Sequence, residues 1–489
     1  MAGTYTQREF EAGVEEQTLL KNANSTKIVV REPVRLSPGW EGTDKPDDEL
    51  NFKELTMDQV NLELNPPKDR LNLVFFIMLL HGIGALMPWN MFITAKNYFA
   101  NYKFSSNYTG IETSYGANYV SSVSFAAQIP NLIFNWLNIF MTLGGELTTR
   151  IVWGIFMQVL IFVETVILAM IDTSAWPGIF FWITMISVVI LNTSNGIYQN
   201  SVFGMAAKLP EKYTGAVILG SNISGTFTAV INLLADLITP EERRAAIYYF
   251  ITALFVLLAC FDTYFALPIN RFYRYHEYLH NKEKRKNDSD VKSKTRGTPP
   301  YWKIFKQCSP QLFNIFFIFF VTLSLFPSVQ SDIKSSDPSF IETIYTGKET
   351  EKIYTDIMCF VLFNVTAMIG SFITSFIQWP KKQWLVVPVV LRVLYIPLFL
   401  LCNYKPRLVA RTLPIYVNND WIYLGIAATM GLSSGYLSSL GMMYCPTMVD
   451  SRHASTAGMF AAAFLITGIF VGILFAMVMP SIVSASIWE

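Results

Sequence analysis

Charge is scarce in this chain. Asp, Glu, Lys and Arg make up 15% of its 489 residues, against 52% that are hydrophobic, whereas soluble proteins charge about a quarter of theirs. Histidine is scarcer still. The four, His81, His276, His280 and His453, are too scattered for a metal centre. The five cysteines, Cys260, Cys308, Cys359, Cys402 and Cys445, show neither metal-ligand spacing nor the framework of a secreted disulfide domain. A Gly-rich phosphate loop is lacking, which leaves ATP-driven chemistry unsupported. A net charge of +1 gives no footing for nucleic-acid binding. The sequence therefore predicts no enzyme, no cofactor and no metal.

What it has instead is long apolar runs. About 20 such residues cross roughly 30 Å of hydrocarbon, and runs of this kind lie near 70–98, 117–142, 150–171, 178–206, 214–238, 245–268, 310–329, 355–379, 384–403, 419–444 and 456–482. They predict an all-α, multi-pass membrane protein of eleven transmembrane helices. Eleven spans and no cysteine pair outside them do not suit a seven-helix receptor. Several runs carry polar interruptions: Gln128 and Pro130 in the second, and Asn192, Asn195 and Gln199 in the fourth. Such groups are tolerated at membrane depth where protein or a water-filled cavity covers them. The stretch "ALMPWNMFITAKNYF", 85–99, has the same character. Pro88 lacks a helix N–H, Trp89 offers a flat aromatic face, and Asn90 offers an amide, so the run reads as the wall of an aqueous path.

Loop charges set the expected orientation. Residues 1–69 are polar, without the apolar core of a cleaved signal, and read as a disordered cytosolic tail ending at Pro66 and Pro67. The basic run "NRFYRYHEYLHNKEKRKNDSDVKSKTRG", 270–297, falls on the same side. So do Lys208, Lys212, Lys381 and Lys382, while "NYKPRLVARTL" violates the rule. An odd number of spans puts Glu489 outside. The sequons at Asn24, Asn192, Asn222, Asn287 and Asn364 fall in the cytosol or the bilayer, which leaves Asn107 in the first external loop as the glycan acceptor. The basic run also divides the chain: a six-helix bundle over 70–268, a cytosolic linker over 269–309, and a five-helix bundle over 310–489. Two-bundle transporters are organised this way.

A set of segments carries a family likeness. "HGIGALMPWNMFITAKNYF", "YQNSVFGMAAKLPEKYTGAVILGSNISGTF", "LFPSVQSDIKSS", "LRVLYIPLFLLCNYKPR" and "SSGYLSSLGMMYCP" occur in this order. Together they resemble the equilibrative nucleoside transporter family from about residue 70 to the end. The resemblance implies a fold like the major facilitator superfamily with one helix fewer. It also implies facilitated movement of nucleosides such as adenosine and uridine, and sometimes of nucleobases.

A nucleoside needs an aromatic plate for its base and hydrogen-bonding groups for its hydroxyls. Trp89 and Asn90 fit those needs, as do Asn195 and Gln199, which share a face with Asn192; Gln199 matches the family's binding glutamine. Pro88, Gly220 and Gly225 are assigned to gating or packing. Arg392, inside "VVPVVLRVLYIPLFLL", costs about 2.5–3.5 kcal/mol to insert and so requires a partner, water or a ligand. His81, Glu164 and Asp262 are the candidate ion-pair or proton groups. The eighth span departs from the family. Many members carry there an aspartate and, four residues on, an arginine that grip ribose, where this chain has Ala367 and Ser371. Asn364 does match, and with Ser371, Ser375 and Gln378 it predicts an uncharged polar stripe.

The expected mechanism is alternating access without energy input. Alternatives are a proton-coupled endolysosomal exporter using His81, or a polyspecific organic-cation carrier using Glu164. "EEQTLL", with Glu15, Leu19 and Leu20, resembles a dileucine sorting signal for an adaptor. The plasma membrane is expected ahead of the endolysosome.

Overall fold

The computed structural model describes residues 66–96, 98–141, 147–238, 242–290, 299–337, 340, 350–406 and 409–485. The chain divides into two compact units, Met1–Pro67 and Lys68–Glu489, and everything below concerns the second. The tail's sorting motif at Glu15, Leu19 and Leu20, and the sequon at Asn24, lie outside the described residues.

Helices dominate. In chain order they are α1 (Leu73–Thr94), α2 (Tyr115–Phe140), α3 (Leu147–Met170), α4 (Pro177–Ala206), α5 (Glu211–Ile238), α6 (Glu242–Ala266), α7 (Arg271–Asp290) and α8 (Tyr301–Leu325). There follow α9 (Thr350–Ile373) and α10 (Val386–Leu401), then α11 (Asp420–Tyr444), α12 (Ala454–Ala476) and α13 (Met479–Val483). Among the described residues, eight helices are long and apolar enough to cross a membrane. At the other three predicted spans lie α2, whose helix carries Gln128 and Pro130, the shorter α10, and α11. The stripe Trp153, Phe156, Leu160, Val163 and Ile167 on α3 recurs at helical spacing and is exposed; that is a face suited to acyl chains.

Local chemistry fixes the helix ends. After Pro66 and Pro67, the Asp69 carboxylate accepts from the backbone N–H groups of Val74 (3.1 Å) and Phe75 (3.2 Å), which caps α1. It also accepts from the Tyr213 hydroxyl of α5 at 3.0 Å. At the far end the chain folds back through a π-helical turn, Tyr98–Lys103, and a short helix, Ser106–Thr109. There the buried Lys103 ammonium donates to the Leu168 and Ile171 carbonyls (3.3 and 2.9 Å) and to Thr173 Oγ1 (3.1 Å). A cation is favoured at the C-terminus of a helix such as α3. The Ser174 backbone N–H, with the Tyr108 hydroxyl, holds the nearby Asp172 carboxyl at about 2.

Packing depends on small residues. A Cβ built at Gly82 or Gly220 would run into the carbonyl of Val217 or Leu79 respectively, so α1 and α5 approach backbone to backbone. Gly435 and Gly370 do the same for α9 and α11, against Ala367 and Leu432. Across the chain, α5 packs on α9 and α11, while α2 and α4 pack on α12.

The stretch expected as a linker over 269–309 begins as the helix α7, where Phe272 packs against Tyr213 with ring centroids 5.2 Å apart. One expectation changes. The polar stripe predicted on the eighth span is cut short. The helix stops at Ile373, leaving Ser375 exposed and beyond it, with the Gln378 carbonyl facing the Tyr444 hydroxyl at 3.4 Å.

Candidate functional site

α1 runs through Pro88, whose ring nitrogen has no hydrogen to give the preceding turn. Trp89 follows, half-buried against the cluster of Met87, Met91, Phe92, Phe162 and Phe250. Asn90 Nδ2 donates to Ser224 Oγ of α5 at 3.2 Å. The next residue of α5, Gly225, faces α9, where a Cβ would meet the Asn364 amide oxygen. The Asn364 Nδ2 is turned back onto the Phe360 carbonyl at 2.8 Å. Asn90, Ser224, Gly225 and Asn364 thus form one strip across α1, α5 and α9. Gly220 belongs to the α1 contact described above and not to this strip.

On α4 the neighbouring residues determine where Gln199 points. Tyr198 turns to α1, its hydroxyl 2.8 Å from His81 Nδ1. Asn200 turns to α2 and α12, donating to Asn135 Oδ1 (3.0 Å) and to the Met459 carbonyl (2.8 Å). Successive helical residues rotate by about 100°, so Gln199 occupies the arc between those contacts. Gln199 and Asn195 are 5% and 3% exposed, and Gln199 Oε1 and Asn195 Oδ1 have no partner among the described residues. Asn192 differs, bonding the Val188 carbonyl at 2.9 Å. Buried amide oxygens are nearly always satisfied, so these two stand out.

Arg392 lies elsewhere. It is 2% exposed, with Nη2 donating to Thr322 Oγ1 of α8 (2.7 Å) and Nη1 to Ser433 Oγ of α11 (3.2 Å). Its guanidinium carbon is 6.0 Å from the Tyr395 ring centroid, and Nε has no partner among the described residues. The expected carboxylate partners are not there. The Glu164 carboxylate accepts from Ser187 Oγ at 3.0 Å, between α3 and α4, and Asp262 is exposed on α6. His81 is fully buried, edge-on to Tyr264. Hydroxyls, rather than an opposite charge, receive the arginine's hydrogens.

At the departure point on α9, Ala367 packs beneath Gly435 of α11. Ser371 accepts from Asn222 Nδ2 of α5 (2.6 Å) and donates to the Gly435 carbonyl (3.1 Å). Sequence reasoning missed the part played by Ser224 and Asn222. The signal was present in "GSNISGT", a polar, small-residue cluster inside an apolar run.

The sequence profile of the nucleoside transporter family matches residues 185–481. Human equilibrative nucleoside transporter 1 is 31% identical over 463 residues, covering 85% of this chain and 99% of that protein. The chain belongs to the equilibrative nucleoside transporter family. Equilibrative nucleoside transporter 3 of Rattus norvegicus is 30% identical, covering 84% of this chain and 89% of its own length. Among solved structures, the crystal structure of a double-Trp mutant of XylE superposes with a TM-score of 0.58 over 85% of this chain and 95% of that one. At 11% identity this likeness concerns the fold alone, and it is the major-facilitator-like architecture expected of an equilibrative nucleoside transporter. Gln199, Asn364 and Trp89 lie on α4, α9 and α1, and Ala367 and Ser371 of α9 are taken up by packing against α11.

Proposed function

We propose that this chain carries nucleosides such as adenosine and uridine down their concentration gradients, through a site walled by α1, α4, α5 and α9. The observation that carries the reading is the pair of buried, unpartnered amide oxygens on α4, at Gln199 and Asn195. An amide oxygen without a partner is costly, roughly 1–3 kcal/mol, and a ribose hydroxyl or a base N–H relieves that cost. Trp89 supplies the stacking face. Asn90 and Asn364 supply further amide groups, each now held by a neighbour it can exchange for ligand. Arg392 acts at one remove, holding α8, α10 and α11 together.

The helices over 70–268 and 310–489 form the two bodies that rock about this site. The lysines at 208, 212, 381 and 382 mark the cytosolic end, and the protein works at the plasma membrane. A proton-coupled exporter is not favoured, because His81 is enclosed between α1, α4 and α6 with Tyr198 on Nδ1. Nor is a cation carrier, because the Glu164 carboxylate sits against Ser187. Competition distinguishes these readings. Unlabelled adenosine is expected to abolish labelled uridine uptake into proteoliposomes while a quaternary ammonium ion leaves it unchanged; the reverse pattern overturns the assignment.

Asn107 is exposed in the Ser106–Thr109 helix and carries the glycan. Glycosidase treatment is expected to speed the gel migration of the wild type and to leave Asn107→Gln where it was. A shift in the variant contradicts this.

A further inference from the structure

The lysine-bearing end of the bundle contains a cleft of about 330 Å³ that the transport site does not use. Three segments wall it: residues 207–214 from the α4–α5 turn into α5, one face of α7, and residues 443–454 between α11 and α12. Its volume lies within the range of small-molecule sites, about 300–1,000 Å³.

The lining is rich in hydrogen-bond donors. Lys208 enters from the α4–α5 turn, His276 and His280 stand one turn apart on α7, and Thr214 and Ser451 bring hydroxyls, while the Thr447 hydroxyl donates to the Tyr444 carbonyl at 2.7 Å. Glu211 is the carboxylate of the lining, and its charge is offset. Lys382 Nζ lies 3.5 Å from Glu211 Oε1 and also donates to Thr447 Oγ1. Burial pushes the His276 imidazole below its ordinary value, which leaves it an uncharged N–H donor at neutral pH. Leu209, Leu279, Met443 and Pro446 form an apolar shelf beside these groups.

The geometry points to a binding site for a phosphate monoester, with the phosphate held by Lys208, His276 and His280 and its organic part on the apolar shelf. A tetrahedral dianion offers several acceptor oxygens to donors converging from the α4–α5 turn and α7, and charge-assisted bonds of this kind are the strong ones. An occupant bridges the α4–α5 turn to the α11–α12 turn, which belong to the two groups of helices. The monoester could come from a free nucleotide or from a lipid headgroup.

The test uses the purified full-length protein. AMP and inorganic phosphate are titrated in detergent, and nanodiscs containing phosphatidylinositol 4-phosphate are compared with phosphatidylcholine nanodiscs. Saturable binding is expected in the free or the lipid arm, unaffected by excess adenosine, which separates this cleft from the transport site. His276→Gln combined with His280→Gln, and separately Lys208→Gln, are expected to weaken it about tenfold or more. A Lys208→Arg variant, which keeps the charge, is expected to retain it and guards against misfolding. Absence of saturable binding to every probe, or binding that both Lys208→Gln and the double histidine variant leave unchanged, overturns the proposal.

Discussion

Replacing Gln199 with leucine is expected to lower the kcat/KM of nucleoside uptake about ten- to a hundredfold while leaving the folded protein as stable as the wild type or more so. The two effects have one cause. Gln199 Oε1 is buried without a partner among the described residues, so the fold gains nothing from it, and leucine removes the unsatisfied oxygen at similar volume. The cargo, by contrast, loses an acceptor that water cannot replace in a 5% exposed position. Uptake in proteoliposomes and the unfolding midpoint of the same preparation measure both effects. If uptake is unchanged, Gln199 is not a ligand. If stability collapses together with uptake, the side chain is a structural tie instead.

Arg392 is expected to show the opposite division. Arg392→Ala deletes the group that joins Thr322, Ser433 and the Tyr395 ring, and it leaves a cavity among α8, α10 and α11. Large-to-small core changes cost about 2–5 kcal/mol, so folded yield and the unfolding midpoint should fall sharply. Arg392→Met fills most of the volume without a charge to bury. Replacing buried ionic groups with apolar ones of similar size is often neutral or stabilising, so this variant should recover the fold and transport within a few-fold of wild type. A methionine variant that folds normally yet transports at background would show instead that the guanidinium touches the cargo.

These two residues also mark how far the sequence could be read. The apolar runs placed the helices along the membrane normal, because length and hydropathy are local properties. They could not supply azimuth or partners. Arg392 was evident as a buried charge, yet its partners, Thr322 and Ser433, are 70 and 41 residues away in the chain and are common residue types. Gln199 stands out as a candidate in the sequence through the amide face and the family likeness. Its unpaired state became visible with Tyr198 and Asn200 turned to their own neighbours. The helix within the linker was not legible for a similar reason: its basic composition says nothing of Phe272, which packs on Tyr213, far away in the sequence. Lys103, read as nothing in particular, proves to cap the end of α3 because the chain doubles back there.

The central claim, a nucleoside path without energy coupling, is tested most directly by the end point of uptake. Purified protein in proteoliposomes, given labelled uridine outside, is expected to fill the lumen until inside and outside concentrations are equal. The same plateau is expected with or without an inward proton gradient, and Gln199→Leu should reach it more slowly. Uptake no faster than in protein-free liposomes, or accumulation above the external concentration when a proton gradient is imposed, would contradict the account.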